Sequence, residues 1–174
     1  MPSRVTHLQG IAGIDEAGRG PMIGPMVICG VLVAAEKIAM LQSLGAKDSK
    51  VLTAARRTEL RGQIERVAEK VVLRTVSASD IDERRKHTTL NEVEVIEFAA
   101  IAKSLKPKEL YLDAADVVPE RFGTKIGKLS GLSSLGTKIF SEHKADSKYT
   151  IVSAASIIAK VERERIIDSF HETY

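Results

Sequence analysis

Eight successive residues, Met26-Val27-Ile28-Cys29-Gly30-Val31-Leu32-Val33, carry no polar side chain. A strand with one wet face alternates apolar and polar positions. A strand apolar at every position needs cover on both faces, as in a sheet sandwiched between helices. The flanking segments agree with this. Ile11-Ala12-Gly13-Ile14-Asp15 reads as a short buried strand broken by Gly18, Gly20 and Pro21, and Val71 to Ser77 as a β-rich segment. Thr53 can cap a helix whose Leu60, Ile64 and Val67 recur at i, i+4, i+7. Thr89 and Glu92 have capping-box spacing at the head of a second helix. Its stripe is Val95, Phe98, Ala99, Ala102 and Leu105, with Pro107 at its end. Leu110-Tyr111-Leu112-Asp113 and Lys138 to His143 are two further strands, and Tyr149 to about Asp168 a long helix. Gly123 to Gly136, with four glycines and three serines, reads as a flexible surface loop. The order β-β-α-β-α-β-β-α implies an α/β fold, a mixed sheet with helices on its faces.

The chain has 174 residues, one domain's worth, and no internal repeat or linker divides it, so 1–174 is expected to be a single domain. Its 44% hydrophobic content excludes a disordered chain. A single cysteine, Cys29, excludes a disulfide framework and a cysteine-based zinc site, and its apolar surroundings make it a small core residue. No apolar stretch approaches the roughly 18–20 residues of a bilayer span, and the first residues lack a signal-peptide core. A reduced, cytoplasmic, monomeric protein without membrane contact is expected. Net charge is +3 and the isoelectric point about 9.0, which fits a polyanionic partner without demanding one. Basic residues crowd two segments, Arg56 to Lys70 and Arg84 to His87. Aromatic content is 4% with no tryptophan, so a nucleic acid would be held through phosphates and sugars, not stacked bases.

Acidic residues stand at the ends of three expected strands: Asp15 and Glu16, Asp113 with Asp116 nearby, and Asp146 beyond the last strand. Groups at the carboxyl ends of strands face the ligand crevice of an open α/β sheet. Because strand side chains alternate, Asp15 and Glu16 reach one site only if the chain turns between them. Solvated loop acids and a helix cap at Asp113 are the plainer alternatives. Carboxylates gathered without cysteine or histidine suit a hard cation, Mg²⁺ or Mn²⁺. His143 reads as a solvated or structural histidine more readily than a ligand. Gly18, Gly20 and Gly24 miss the dinucleotide spacing, and no phosphate-binding GxxxxGK[ST] loop occurs.

Five segments together resemble ribonuclease HII, the type 2 ribonuclease H, in its archaeal branch. They are Gly13-Ile14-Asp15-Glu16-Ala17-Gly18-Arg19-Gly20-Pro21, Lys47-Asp48-Ser49-Lys50, Leu112-Asp113-Ala114-Ala115-Asp116, Glu142-His143-Lys144-Ala145-Asp146, and Val152 to Val161. The resemblance implies a ribonuclease H-like fold with a mixed five-stranded sheet. It implies endonucleolytic hydrolysis of the RNA strand of RNA–DNA hybrids, including single ribonucleotides in duplex DNA, leaving 5′-phosphate and 3′-hydroxyl ends. The catalytic and metal-binding acids then fall on Asp15, Glu16, Asp113 and Asp146, with two divalent ions, Mg²⁺ or Mn²⁺, expected with substrate. Gly18, Arg19 and Gly20 fall on the motif that contacts the ribonucleotide's 2′-hydroxyl. Arg19, Lys47 and Lys50 would hold phosphates. The small residues Ser153 to Ser156 would let the last helix approach closely, while Lys160 is expected to be solvated. The family continues into a Gly-Ser-Gly-Tyr-Pro-type segment; the expectation here is a form without it, and Tyr174 is not given that tyrosine's role. A resolvase- or transposase-like nuclease would share the acids without needing Gly18-Arg19-Gly20. A non-catalytic hybrid-binding module would not need four carboxylates packed together.

Overall fold

The computed structural model describes residues 7–20, 24–46 and 50–171. Five strands form one mixed sheet in the order β3-β2-β1-β4-β5. Strands β1 (Ile11–Ala17), β2 (Met26–Val33) and β3 (Lys70–Val76) are antiparallel neighbours. Strands β4 (Glu109–Asp113) and β5 (Lys138–Glu142) run parallel to β1 on its other side. All eight residues of β2 are buried, and its alternation divides two cores. Val27, Cys29, Val31 and Val33 meet α1 (Ile38–Ser43), α2 (Ala54–Val67) and α8 (Thr150–His171). Met26, Ile28 and Leu32 meet α4 (Leu90–Leu105) and α5 (Pro119–Ser130). No helix among the described residues is long and apolar enough to cross a membrane.

Local chemistry sets the helix ends. The Thr53 hydroxyl accepts from the Arg56 amide at 3.2 Å, and Leu60, Ile64 and Val67 are the buried residues of α2. Thr89 accepts from the Glu92 amide at 3.2 Å, and α4 stops at a left-handed Lys106 before Pro107. The helix α3 (Ala78–Arg85) carries no buried residue, so its sequence has no apolar stripe.

The expected loop at 123–136 is instead α5 followed by the short α6 (Leu132–Leu135). Gly123 and Gly127 are one helical turn apart and both buried. A Cβ on Gly123 would lie 2.8 Å from the Ser141 Cβ, and one on Gly127 2.6 Å from Ile139 Cδ1. These glycines are where α5 lies down on β5, so their meaning is close packing, not chain breaking.

The same device seats the two largest helices. On one face a Cβ at Gly30 would run into Ile101 of α4. On the other, a Cβ at Gly13 would lie 2.5 Å from the Ile151 carbonyl oxygen and 2.7 Å from the Val152 amide nitrogen. Backbone cannot step aside as a side chain can. Gly13→Ala is therefore expected to cost about 3 kcal/mol or more, the upper range for overpacking. Gly62→Ala, inside α2 with nothing within 4 Å of its Cβ position, should stabilise by roughly 0.5–1 kcal/mol. Chemical denaturation midpoints of the two variants should move in opposite directions.

Candidate active site

The parallel register between β1 and β4 pairs Ile14 with Leu112. One residue further on, Asp15 and Asp113 stand side by side on the face that carries α8. The third acid arrives from β5. Lys144 takes a left-handed conformation (φ 55°) and turns the chain into α7 (Ala145–Lys148), whose second residue is Asp146. The Asp146 amide donates to Asp113 Oδ2 at 3.4 Å. Asp15, Asp113 and Asp146 each offer a carboxylate oxygen, all within 4.8 Å of one another. Such a conformation in a non-glycine residue costs of order 1–3 kcal/mol and persists where the surroundings impose it.

Three carboxylates held this close oppose their own ionisation. Burial raises Asp15 to about 7, helped by the charge of Asp113 and opposed by hydrogen bonds from the Ser156 hydroxyl and the Glu16 amide. Burial likewise raises Asp113 to about 6, with the Asp146 charge adding to it and the Asp146 amide opposing it. Cationic groups border the cluster. Lys50 Nζ stands 3.7 Å from Asp146 Oδ2. Lys160, half-buried on α8, interacts with both Asp15 and Asp146. An all-oxygen donor set whose members repel one another fits a hard divalent cation.

Glu16 is not one of the three acids whose oxygens lie within 4.8 Å of one another. The strand continues to Ala17 with no turn after Asp15, so Glu16 sits one residue before the end of β1, next to Asp15. Its carboxyl is raised well above the ordinary range by burial, then by Asp15 and by Glu94 of α4. Its Oε2 is buried with no hydrogen-bond partner. Glu16 nonetheless adjoins the cluster: its carboxyl shares a hydrogen bond with that of Asp15, and it borders the α8-side cavity with Lys160 and Arg163.

The Gly18-Arg19-Gly20 loop leaves β1 beside these acids. Gly18 has φ 93°, and a Cβ there would lie 2.5 Å from the Pro25 carbonyl oxygen. Arg19 is tied down: Nε donates to Glu94 at 2.7 Å, and Nη2 donates to Asn91 at 2.6 Å and to the Ala115 carbonyl at 3.0 Å. A cavity of about 410 Å³ opens between this loop and α3, lined by Gly18, Gly20, Ile81 and Arg85 among others. A second, of about 330 Å³, lies between the loop and α8, bordered by Glu16, Lys160 and Arg163. Lys47 and Tyr174 lie outside the described residues.

The remaining candidates have structural roles. Asp116 accepts both arms of the Arg121 guanidinium and the Val118 amide, and Arg121 holds it down to about 2. His143 Nε2 contacts the Val117 carbonyl at 3.2 Å. Cys29 is buried, and burial pushes its thiol up. Sequence reasoning read Ser156 only as a small packing residue, did not single out Glu94, and read Lys160 as solvated. The missing signal was helical spacing: Val152, Ser156 and Lys160 follow one another at i+4, so a helix touching the sheet at Val152 brings the other two over the acids.

Comparison with known proteins adds a family. The model of the family described as Ribonuclease HII matches residues 12–174. The ribonuclease HII of Methanosarcina barkeri is 46% identical over 168 residues, spanning 94% of this chain and 75% of that protein. Two solved structures are similar. The ribonuclease H2 of Pyrococcus horikoshii OT3 has TM-score 0.87 and 42% identity, covering 94% of this chain and 76% of that one. The Archaeoglobus fulgidus structure of a PCNA:RNase HII complex gives TM-score 0.86, 43% identity and the same coverages. The chain thus spans about three quarters of the length of these relatives.

The titration of the cluster makes a measurable prediction. In chelator, the folded chain holds the Asp15 proton up to about pH 7 and that of Asp113 up to about pH 6. The unfolded chain releases both near 3.8. Folding therefore takes up protons in this window, and stability should fall as pH rises from about 4 to 7. Asp113→Asn should flatten that decline and raise the metal-free thermal midpoint at pH 8 by about 2–4 °C. Adding Mg²⁺ or Mn²⁺ should raise the wild-type midpoint and leave that of Asp113→Asn nearly still. Thermal scans across pH, with and without cation, check all three outcomes.

Proposed function

The chain belongs to the ribonuclease HII family, metal-dependent endoribonucleases, and on that premise we propose that it cleaves the RNA strand of RNA–DNA hybrids and single ribonucleotides in duplex DNA. The observation that carries this reading is the convergence of Asp15, Asp113 and Asp146 beside the Gly18-Arg19-Gly20 loop. Hydrolysis places the water oxygen on phosphorus while the bond to the 3′-oxygen breaks, leaving a 5′-phosphate and a 3′-hydroxyl. Asp15, Asp113 and Asp146, with Glu16 beside them, would hold Mg²⁺ or Mn²⁺. Two such ions, when bound, supply charge neutralisation, an activated water and stabilisation of the leaving oxygen.

The chain's own groups set up that chemistry. Ser156 and the Glu16 amide fix the Asp15 carboxylate, and the Asp146 amide fixes that of Asp113. Fixed acids need no reorganisation when charge develops. Lys50 and Lys160 place positive charge at the rim, where a phosphate would approach. Gly18 and Gly20 let backbone amides reach a sugar with no Cβ between, and the 2′-hydroxyl is the group that distinguishes RNA from DNA there. Lys47 is included among the phosphate contacts of this reading. The same reading makes the protein a monomer working on nucleic acid in the cytoplasm.

Mapping cleavage on a DNA duplex carrying one ribonucleotide, with Mg²⁺, Mn²⁺ or chelator, tests the reading directly. Cuts next to the ribonucleotide that vanish in chelator and in Asp113→Asn are expected; a duplex left intact under every condition would refute it. The two glycines should separate. No described atom lies within 4 Å of a Cβ on Gly20, so Gly20→Ala should keep the thermal midpoint and lose about 10-fold or more on the single ribonucleotide. Gly18→Ala, strained and blocked by the Pro25 carbonyl and Arg163, should lose stability as well.

A further inference from the structure

Two glutamates of α4 are buried, and they are treated differently. Glu97 has both oxygens satisfied, by Arg74 and by Arg84, and so ties β3 and α3 to the helix. The Glu94 side chain is wholly buried, yet only Oε1 has a partner, Arg19 Nε at 2.7 Å. Its Oε2 is buried with none. Burial raises the Glu94 carboxyl, against the pull of Arg19. As a device for stability this is poor. A buried ion pair seldom outperforms an apolar side chain of similar volume, and an orphaned oxygen makes it worse.

Its effect lies at the other end of the pair. Through one guanidinium, Arg19 joins the exit of β1 to the first two turns of α4, at Asn91 and Glu94, and to the exit of β4 at the Ala115 carbonyl. Asp15 leads into Arg19 along β1, and Asp113 precedes Ala115 on β4. The loop and the acids are thereby held at one mutual height. Arg19 is 39% exposed on its side chain, so water can replace Glu94 without leaving a stranded charge.

We propose that Glu94 is a positioning residue that acts through Arg19: it fixes the Gly18–Gly20 loop against the acid cluster and thereby sets the preference for a single embedded ribonucleotide. The proposal rests on the ribonuclease reading above and names the element that tunes its selectivity. A continuous hybrid offers several riboses to fix the register, whereas an embedded ribonucleotide offers one, so a loosened loop costs most on the latter.

The test uses Glu94→Leu, Glu94→Gln, Arg19→Ala and the double variant Glu94→Leu/Arg19→Ala. Hydrogen exchange of the loop amides, measured without substrate or metal, reads the positioning itself. Turnover on the embedded ribonucleotide and on a continuous hybrid reads its consequence. Glu94→Leu should exchange the Gly18–Gly20 amides about 10-fold faster at an undiminished thermal midpoint, and its embedded-to-hybrid ratio of kcat/KM should fall about 10-fold, as loss of one charge-assisted hydrogen bond implies. Glu94→Gln, whose amide oxygen can still accept from Arg19 Nε, should keep most of both. Adding Glu94→Leu to Arg19→Ala should change nothing further. Unchanged loop exchange in Glu94→Leu, or a lowered midpoint with equal losses on both substrates, would overturn the proposal. Should the leucine variant fail to fold, Arg19→Ala decides: faster loop exchange with a lowered ratio would support the proposal, and an unchanged loop and ratio would overturn it. A wild type that cut neither substrate would sink the ribonuclease reading instead, while the exchange measurement would still decide whether Glu94 holds the loop.

Discussion

The architecture of the site depends on one contact, the backbone of α8 lying against the backbone of β1 at Gly13. Once Gly13 touches Val152, helix and strand travel side by side in the same direction. Two strand residues advance about 6.6 Å, and four helical residues about 6 Å. Asp15 therefore meets Ser156, and a turn later Lys160 reaches the rim of the acids. The same march brings Arg163 to Gly18, where its Nε donates to the Pro25 carbonyl. A side chain at residue 13 would lift the helix and put Ser156, Lys160 and Arg163 out of register together. The helix is usable here because small groups, Ser153, Ala154, Ala155 and Ser156, follow directly on Val152 in its buried stretch.

The acids contribute the opposite tendency. Asp15, Asp113 and Asp146 repel one another within 4.8 Å, and burial compounds the cost. What holds them is backbone: adjacent hydrogen-bonded parallel strands for two, and a left-handed Lys144 for the third. Neither device is adjustable from the side chains outward. A cluster that is unfavourable alone and rigidly imposed is suited to a ligand that supplies the missing positive charge.

Much of this was legible because the signals were local. The unbroken apolar run of β2, the i, i+4, i+7 stripe of α2 and the Thr89 cap each constrain a few neighbouring residues, and each appears where its sequence places it. The misreadings share a cause, since each depends on what lies across the fold. Gly123 and Gly127 looked like chain breakers because only the proximity of β5 shows why a helix wants no side chain there. Lys160 looked solvated because its neighbours Asp15 and Asp146 are distant in sequence. The exposed α3 had no stripe to read. Asp15, Asp113 and Asp146 were legible as strand-end acids, but their convergence within 4.8 Å is a property of sheet order.

The end of β1 then serves both the acids and the loop that follows them. Asp15 points toward α8, where Ser156 and Lys160 tend it. Glu16, one residue on, adjoins the Asp15 carboxyl and also feels the charge of Glu94, the partner of Arg19. The chain leaves the strand at Ala17 and enters a loop that Arg19 pins to α4 and to the exit of β4. A single strand end thus carries the acids and leads directly into the anchored loop. Because a one-residue slip would exchange the two faces completely, the register of β1 against β2 and β4 is as much a requirement of the site as the acids themselves. That register is secured by Ala12 and Ile14 in one core and by Gly13 against α8 in the other.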